Sequence, residues 1–295
     1  GRGHRCVVLT RDPERCRELR LHPGVRLRRT NPSDTGSLAE ALHGADAVVN
    51  LVGILNEKGR SGKGFHRFHV ELVERLLEAC RQAGVNRFLQ VSALNAGIDD
   101  PNVSHYLKSK GEAERVIRES GIDYTIVRPS VIFGVDDSFF NRFAGLLKWI
   151  PVLPLACPGA GMQPVWVGDV AVAITRMLES REAIGQVYPL VGPKRYSLIE
   201  LVRFTASAMG KKRWIVGLPD PVSRLQGLVC DFVPGKPFSS DNYRSLKIPN
   251  VSDENGLPEF GIDPRPLEGL VRHYLGGSSH QQRLDAIRKR SRGQS

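Results

Sequence analysis

The chain has 295 residues, 41% hydrophobic and 25% charged, with 30 Gly and 19 Pro; that is enough for one large or two modest globular domains and lacks any fibrous periodicity. Its net charge of +11 sits at the two ends: residues 1–31 carry nine Arg against three acids, residues 271–295 carry five Arg and Lys289 against Asp285, and residues 32–270 balance at 27 basic and 27 acidic. A neutral body argues against a nucleic-acid partner, and five cysteines without a CxxC pair argue against a disulfide framework.

Up to about residue 130, short β-branched runs alternate with amphipathic stretches, the pattern of a parallel sheet covered by helices. Cys6–Thr10 reads as a strand, and Asp12-Pro13 as the cap and first turn of a helix reaching His22. Val25–Arg28 is a second strand, Asp34 caps a helix to His43, and Ala47–Leu51 is a third strand. A long helix from Phe65 to Ala83 stops at Gly84; Phe88–Ser92 is a fourth strand, Ser104–Ser120 a helix, and Tyr124–Arg128 a fifth strand ended by Pro129. Cys6 and Cys80 fall in apolar runs and read as small core residues.

Beyond Gly134 the alternation breaks into Pro- and Gly-rich connections, which points to a smaller mixed cap. Val165–Val167 reads as a strand, Asp169 as the cap of a helix to Leu178, and Val187–Val191 as a strand, with helices at Ser197–Ala208, Asp220–Cys230 and Pro266–Leu275. The expected organisation is a nucleotide-binding domain over 1–134, a substrate or cap region over 135–276, and a basic flexible tail over 277–295. The most apolar stretch, Phe143–Met162, contains Lys148 and three prolines, so no membrane-spanning helix is expected. The Arg-rich opening is unlike a signal peptide, and scattered thiols fit a reducing cytoplasm.

The front of the chain is unusual. It starts without Met at what reads as the second strand of a dinucleotide-binding sheet, so the expectation is a doubly wound, Rossmann-like α/β fold whose first strand and glycine-rich loop are absent. The main chemical signal is Ser92 at a strand end with Tyr106 and Lys110 on the next helix. Tyr and Lys four apart share a helical face, where an ammonium lowers a phenol's pKa and makes it a usable acid or base. Ser92 can bond a substrate carbonyl, and Lys110 can bond ribose hydroxyls. Two motifs are discounted. Gly59-Arg60-Ser61-Gly62-Lys63-Gly64 lacks the spacing and hydroxyl of a phosphate loop, leaving a flexible loop at the site rim, and His66 and His69 lack metal-ligand spacing.

Ser92, Tyr106-x-x-x-Lys110, Asn50-Leu51-Val52-Gly53 and Val127-Arg128-Pro129-Ser130 together resemble the short-chain dehydrogenase/reductase superfamily. With Val91-Ser92-Ala93-Leu94-Asn95-Ala96 and Gln163-Pro164-Val165-Trp166-Val167, the chain from about residue 5 to 275 is similar to an atypical branch, the NAD(P)-binding accessory subunits of respiratory complex I and their bacterial relatives. The resemblance implies NADP(H) rather than NAD(H). Thr10 and Arg11 stand where an NAD-specific protein usually places an acid, and an Arg there suits a 2′-phosphate. Asn31 stands where relatives usually have an Asp beside the adenine; Leu51, Val52 and Gly53 would lie along the cofactor, and Pro129 and Ser130 would border the nicotinamide.

Two classes of function stay open. One is an accessory or assembly component of a membrane-associated respiratory complex, cytoplasmic or peripheral on the membrane, with NADP(H) as a structural ligand. The other is an oxidoreductase or epimerase on a hydrophobic carbonyl or quinone-like small molecule, with Tyr106 as acid/base, Lys110 orienting ribose and Ser92 polarising the carbonyl. The apolar Phe143–Leu155 stretch is either ordinary cap packing or a groove or docking face, and the basic tail could assist contact with acidic lipids.

Overall fold

The computed structural model describes residues 3–57, 59–233 and 238–275; the expected tail of residues 277–295 lies outside the described residues. Strand β1 (Cys6–Thr10) is followed by a kinked 3-10 stretch, Pro13–Leu21, then β2 (Val25–Arg29), helix α1 (Thr35–Leu42) and β3 (Ala47–Asn50). The expected helix after Asp12 does not become α-helical: its side chains stay largely exposed and Cys16 breaks the turn at φ −113°, although Asp12 does accept the Glu14 amide as a cap. Asp34 caps α1 as its position predicts.

The long helix comes in three pieces, α2 (Lys63–His66), a π turn over Arg67–Glu71, and α3 (Leu72–Ala83), which ends at Gly84 in the left-handed conformation. Then follow β4 (Arg87–Val91), α4 (His105–Glu119), β5 (Asp123–Pro129), β6 (Ile132–Phe133), α5 (Phe140–Trp149), β7 (Val152–Leu155), β8 (Gly161–Met162) and β9 (Val165–Trp166). The chain continues through α6 (Val167–Glu179), β10 (Gln186–Leu190), β11 (Tyr196–Ser197), α7 (Leu198–Ala208), β12 (Trp214–Gly217), α8 (Asp220–Cys230), α9 (Ser240–Leu246) and α10 (Leu267–Leu275).

The architecture is α/β and Rossmann-like, on a parallel four-stranded sheet of order β10-β5-β4-β3. Strand β10, well beyond residue 134, returns to this sheet beside β5, so the chain leaves for the cap after β5 and comes back before finishing it. Strands β1 and β2 form a separate parallel pair, and no strand among the described residues bridges β1 and β3. That break explains one correction. Cys80 is buried as expected, but Cys6 is exposed, because β1 is covered only partly.

One apolar layer, with Phe88, Val73 and Ile117, lies between the sheet and α1, α3 and α4. A second, with Leu89, Val127, Val170 and Met177, covers the opposite face under α6. The cap has its own core around Phe133, Phe140, Leu147 and Leu201, tied by small non-local pairs: β6 with β9, β8 with β11, and β7 with β12. Asp169 does not cap α6 as expected. It lies buried inside the first turn, where it accepts the Arg265 amide at 2.9 Å and pairs with the Arg265 guanidinium at 3.4 Å, binding a distant loop.

Candidate functional site

The expected site residues other than Tyr106 and Lys110, which lie on helix α4, stand at or after the ends of parallel strands, the edge at which open α/β sheets take their ligands. Asn50 closes β3 and is buried; it donates to Gln90 on β4 at 2.9 Å and accepts the Val52 amide at 3.1 Å, which turns the chain outward. Leu51, Val52 and Gly53 are consequently exposed along the sheet edge. A Cβ on Gly53 would stand 3.3 Å from Lys110 Nζ and 3.9 Å from His69 Nε2, so the bare backbone leaves the lysine room.

Helix α4 is fastened onto this edge at both its start and its flank. Ser104 accepts the Leu107 amide, while Asp241 from cap helix α9 accepts the His105 and Tyr106 amides at 2.7 and 3.2 Å. On the flank, Gly111 meets Gly97 so closely that a Cβ on Gly111 would lie 2.1 Å from the Gly97 Cα, and Gly97 itself is at φ +74°. Backbone contact at this range is open only to glycine, and it fixes α4 against the loop that begins with Ser92.

Within that frame the three expected catalytic groups take separate partners. The Ser92 hydroxyl donates to Glu114 Oε1 at 2.6 Å. Glu114 is buried and also accepts two bonds from Arg128, at 2.9 and 2.6 Å, and one from Arg118 at 3.0 Å. The Lys110 ammonium donates to the Val91 carbonyl at 3.2 Å. Burial pulls its pKa down to about 8, only partly opposed by the Glu114 carboxylate, so this group contributes stability that rises as pH climbs from about 8 toward 10.5.

Tyr106 departs from expectation. Its ring packs edge-on against Phe65 and His69, with centroids at 6.0 and 5.6 Å, and burial pushes its phenol up to about 12 rather than down. Desolvation of the phenolate dominates, and the Lys110 ammonium, engaged by Val91, does not offset it.

His69 is a site residue that spacing did not reveal. The π turn carries it inward, where its Nε2 accepts the Ile54 amide at 3.1 Å and its Nδ1 shares a hydrogen bond of 2.8 Å with Ser109 Oγ. Accepting at Nε2 makes Nδ1 the protonated nitrogen, which donates to Ser109, whose hydroxyl in turn donates to the Tyr106 carbonyl. Burial and then the Lys110 charge lower the His69 pKa to about 3, so the ring stays neutral and pins the loop after Gly53 to α4. Glu114 was also missed, although a signal existed, since Tyr106, Lys110 and Glu114 recur every four residues on one helix face.

At the end of β1, Asp12 donates its amide to Thr10 Oγ1, and Arg11 is exposed without a hydrogen bond or ion pair among the described residues. Arg29 stands opposite Thr10 in the β1–β2 register and is exposed. Asn31 forms a turn by accepting the Ser33 amide. Pro129 is buried at the end of β5, and the Ser130 hydroxyl donates to the Asn250 carbonyl at 3.0 Å. The conspicuous Gln163 acts alongside it, donating to the Gly192 carbonyl and accepting the Ser252 amide, so both side chains clasp the segment crossing from the cap. In the glycine-rich rim loop, the Glu57 carboxylate accepts the Gly62 and Gly64 amides at 2.6 and 2.7 Å; a carboxylate fills the place a phosphate would need.

The comparisons agree with this architecture. Residues 1–138 match the family model described as NAD(P)H-binding. The chain is 32% identical over 240 residues to the rat mitochondrial NADH dehydrogenase [ubiquinone] 1 alpha subcomplex subunit 9, covering 80% of this chain and 62% of the relative. It is 30% identical to a ceramide reductase of Caulobacter vibrioides, covering 66% of this chain and 60% of that protein. It thus spans less than two thirds of the length of either relative. A structure of an NADPH-dependent quinone oxidoreductase from Escherichia coli with NADPH superposes with a TM-score of 0.69 at 20% identity, covering 90% of this chain and 89% of that one, and shares the fold. Residues 1–138 thus match an NAD(P)H-binding family domain, in a chain homologous to the complex I subunits.

Proposed function

We propose that this protein holds NADP(H) as an accessory or assembly component of a membrane-associated respiratory complex of the complex I kind. The observation that carries this is the engagement of Ser92: its hydroxyl hydrogen is given to the ion-paired Glu114 carboxylate instead of facing a substrate carbonyl. The raised phenol of Tyr106 points the same way, since a group near 12 is a poor base at neutral pH. A bound dinucleotide would then stabilise the fold by mass action.

The residues present fit such a ligand. Gly53 leaves backbone bare beside Lys110, and Leu51 and Val52 are open to lie along a nucleotide. Arg11 and Arg29, with Thr10, form a basic corner suited to a 2′-phosphate, and Asn31 stands beside it for the adenine. Lys110 would bond ribose hydroxyls, with Pro129 and Ser130 bordering the nicotinamide. The cofactor supplies hydride chemistry when bound. The unbridged edges of β1 and β3 are where a further strand with a glycine-rich loop would complete the sheet and cradle the pyrophosphate. The division into a nucleotide domain over 1–134, a cap over 135–276 and a basic tail over 277–295 belongs to the same proposal, as does a cytoplasmic, membrane-peripheral location. No described helix is long and apolar enough to cross a membrane.

The alternative is an NADP(H)-dependent oxidoreductase or epimerase on a hydrophobic carbonyl or quinone, with Ser92, Tyr106 and Lys110 in the roles given above. The similarity to a ceramide reductase favours it. Mass spectrometry of nucleotide released on denaturation, followed by turnover assays, separates the two. Retained NADPH that neither quinones nor carbonyls oxidise supports the accessory role. Turnover that Tyr106→Phe abolishes overturns it in favour of the enzyme, and release of NADH alone overturns the assignment of NADP(H).

A further inference from the structure

Half of the exposed large apolar side chains among the described residues fall in two short stretches of the cap, 149–152 and 214–233. The pairing of β7 with β12 makes one surface of them. Trp214 stands opposite Val152 and Val216 opposite Pro154, all four facing outward, while the alternate Leu153, Leu155 and Ile215 are buried in the cap core. Trp149 joins this face: the Arg213 guanidinium donates to the Leu147 and Lys148 carbonyls, tying the end of α5 to the start of β12, and Lys148 Nζ lies 5.6 Å from the Trp149 ring centroid. Trp149 and Trp214 are 80% and 75% exposed.

Helix α8 extends the surface. It lies against the ribbon, where Gln226 Nε2 donates to the Pro154 carbonyl, and it turns Val222, Leu225 and Val229 outward at helical spacing, with Phe232 just beyond. The track ends at the site rim, where the Arg60 guanidinium sits 5.4 Å from the Phe232 ring centroid.

The charge around the ribbon selects what covers it. Residues 138–168 and 201–219, which hold β7, β12 and their flanks, contain no Asp or Glu but carry Arg142, Lys148, Arg203, Lys211, Lys212 and Arg213. The acid next to this surface, Asp220 at the start of α8, is paired with Lys247 at 2.9 Å, and exposed Trp flanked by an excess of cations is the composition of a bilayer interface, where indoles sit among headgroups and Lys or Arg meet anionic lipid. We propose that the outer face of the β7–β12 ribbon, with α8, docks on an anionic phospholipid surface and turns the rim of the nucleotide site toward it. This rests on the surface alone and stands or falls independently of the bound nucleotide.

The test is co-sedimentation of the full chain with vesicles of phosphatidylcholine containing phosphatidylglycerol, and with pure phosphatidylcholine, alongside W149S/W214S and K211E/K212E variants. All substituted side chains are exposed, so unchanged melting curves and unchanged nucleotide content report intact folding. The expected result is salt-sensitive binding to the anionic vesicles only, reduced by about tenfold or more in each double variant. Brominated lipid should quench tryptophan emission in the parent and lose most of that effect in W149S/W214S. Three results overturn the proposal: no vesicle binding by the parent, equal binding by parent and W149S/W214S, or sedimentation showing that the face instead joins two copies of the chain.

Discussion

The floor of the site and the outer face of the cap treat their difficult groups in opposite ways. Around α4, every buried charge has found a partner inside the protein: Glu114 with Arg128, Arg118 and Ser92, and Lys110 with the Val91 carbonyl. On the β7–β12 ribbon and α8, indoles and aliphatic side chains are left open, and the stretches holding the ribbon strands carry cations and no acids. The first arrangement is closed and gives its polar groups to internal order. The second has no cover among the described residues, and that contrast separates the two proposed roles of ligand holder and docking surface.

The contrast can be broken hardest at the glycine contact. Gly111→Ala puts a Cβ 2.1 Å from the Gly97 Cα, backbone against backbone, and should abolish soluble expression or the cooperative melt. Acid titration comes next. His69 in the folded chain sits near 3 against 6.5 unfolded, so between those values only the unfolded state takes up the proton. Stability should therefore be lost as pH falls below about 6.5, by on the order of 5 kcal/mol near pH 3, and denaturant melts across this range should show a shallower slope in His69→Gln.

Glu114→Ala should cost about 3 kcal/mol by equilibrium unfolding, because it removes the buried acceptor of the Ser92 hydroxyl and the carboxylate shared by Arg128 and Arg118. On the open face the effect should nearly vanish. Trp214→Ser should leave unfolding free energy within about 0.5 kcal/mol of the parent while weakening vesicle binding. If Trp214→Ser destabilised as much as Glu114→Ala, the two regions would not differ as described.

Much of the nucleotide half is legible residue by residue. The caps at Asp34 and Ser104, the stop at Gly84, and strands running into Asn50, Val91 and Pro129 are local signals, and all lie where local rules place them. The cap was harder because its strands are two to four residues long and pair across distant sequence, as β8 with β11 and β7 with β12 do. Within the site, the helical spacing of Tyr106 and Lys110 was visible, but the partners were not. Which oxygen the Ser92 hydroxyl reaches depends on a helix face 22 residues away and on two arginines that hold the carboxylate in place.

What the sequence determined by itself is therefore the order of elements up to β5, save the stretch after Asp12, and a neutral body between basic ends, since each follows from periodicity, caps and charge read locally. Tertiary structure decided the protonation and engagement of the site: the neutral His69 held by a π turn, the phenol raised by burial, the serine turned to Glu114. It also decided that the apolar cap segment splits into a buried core and an open, cation-ringed face. Burial and partner choice arise only when distant segments meet, and those two quantities set both pKa and exposure.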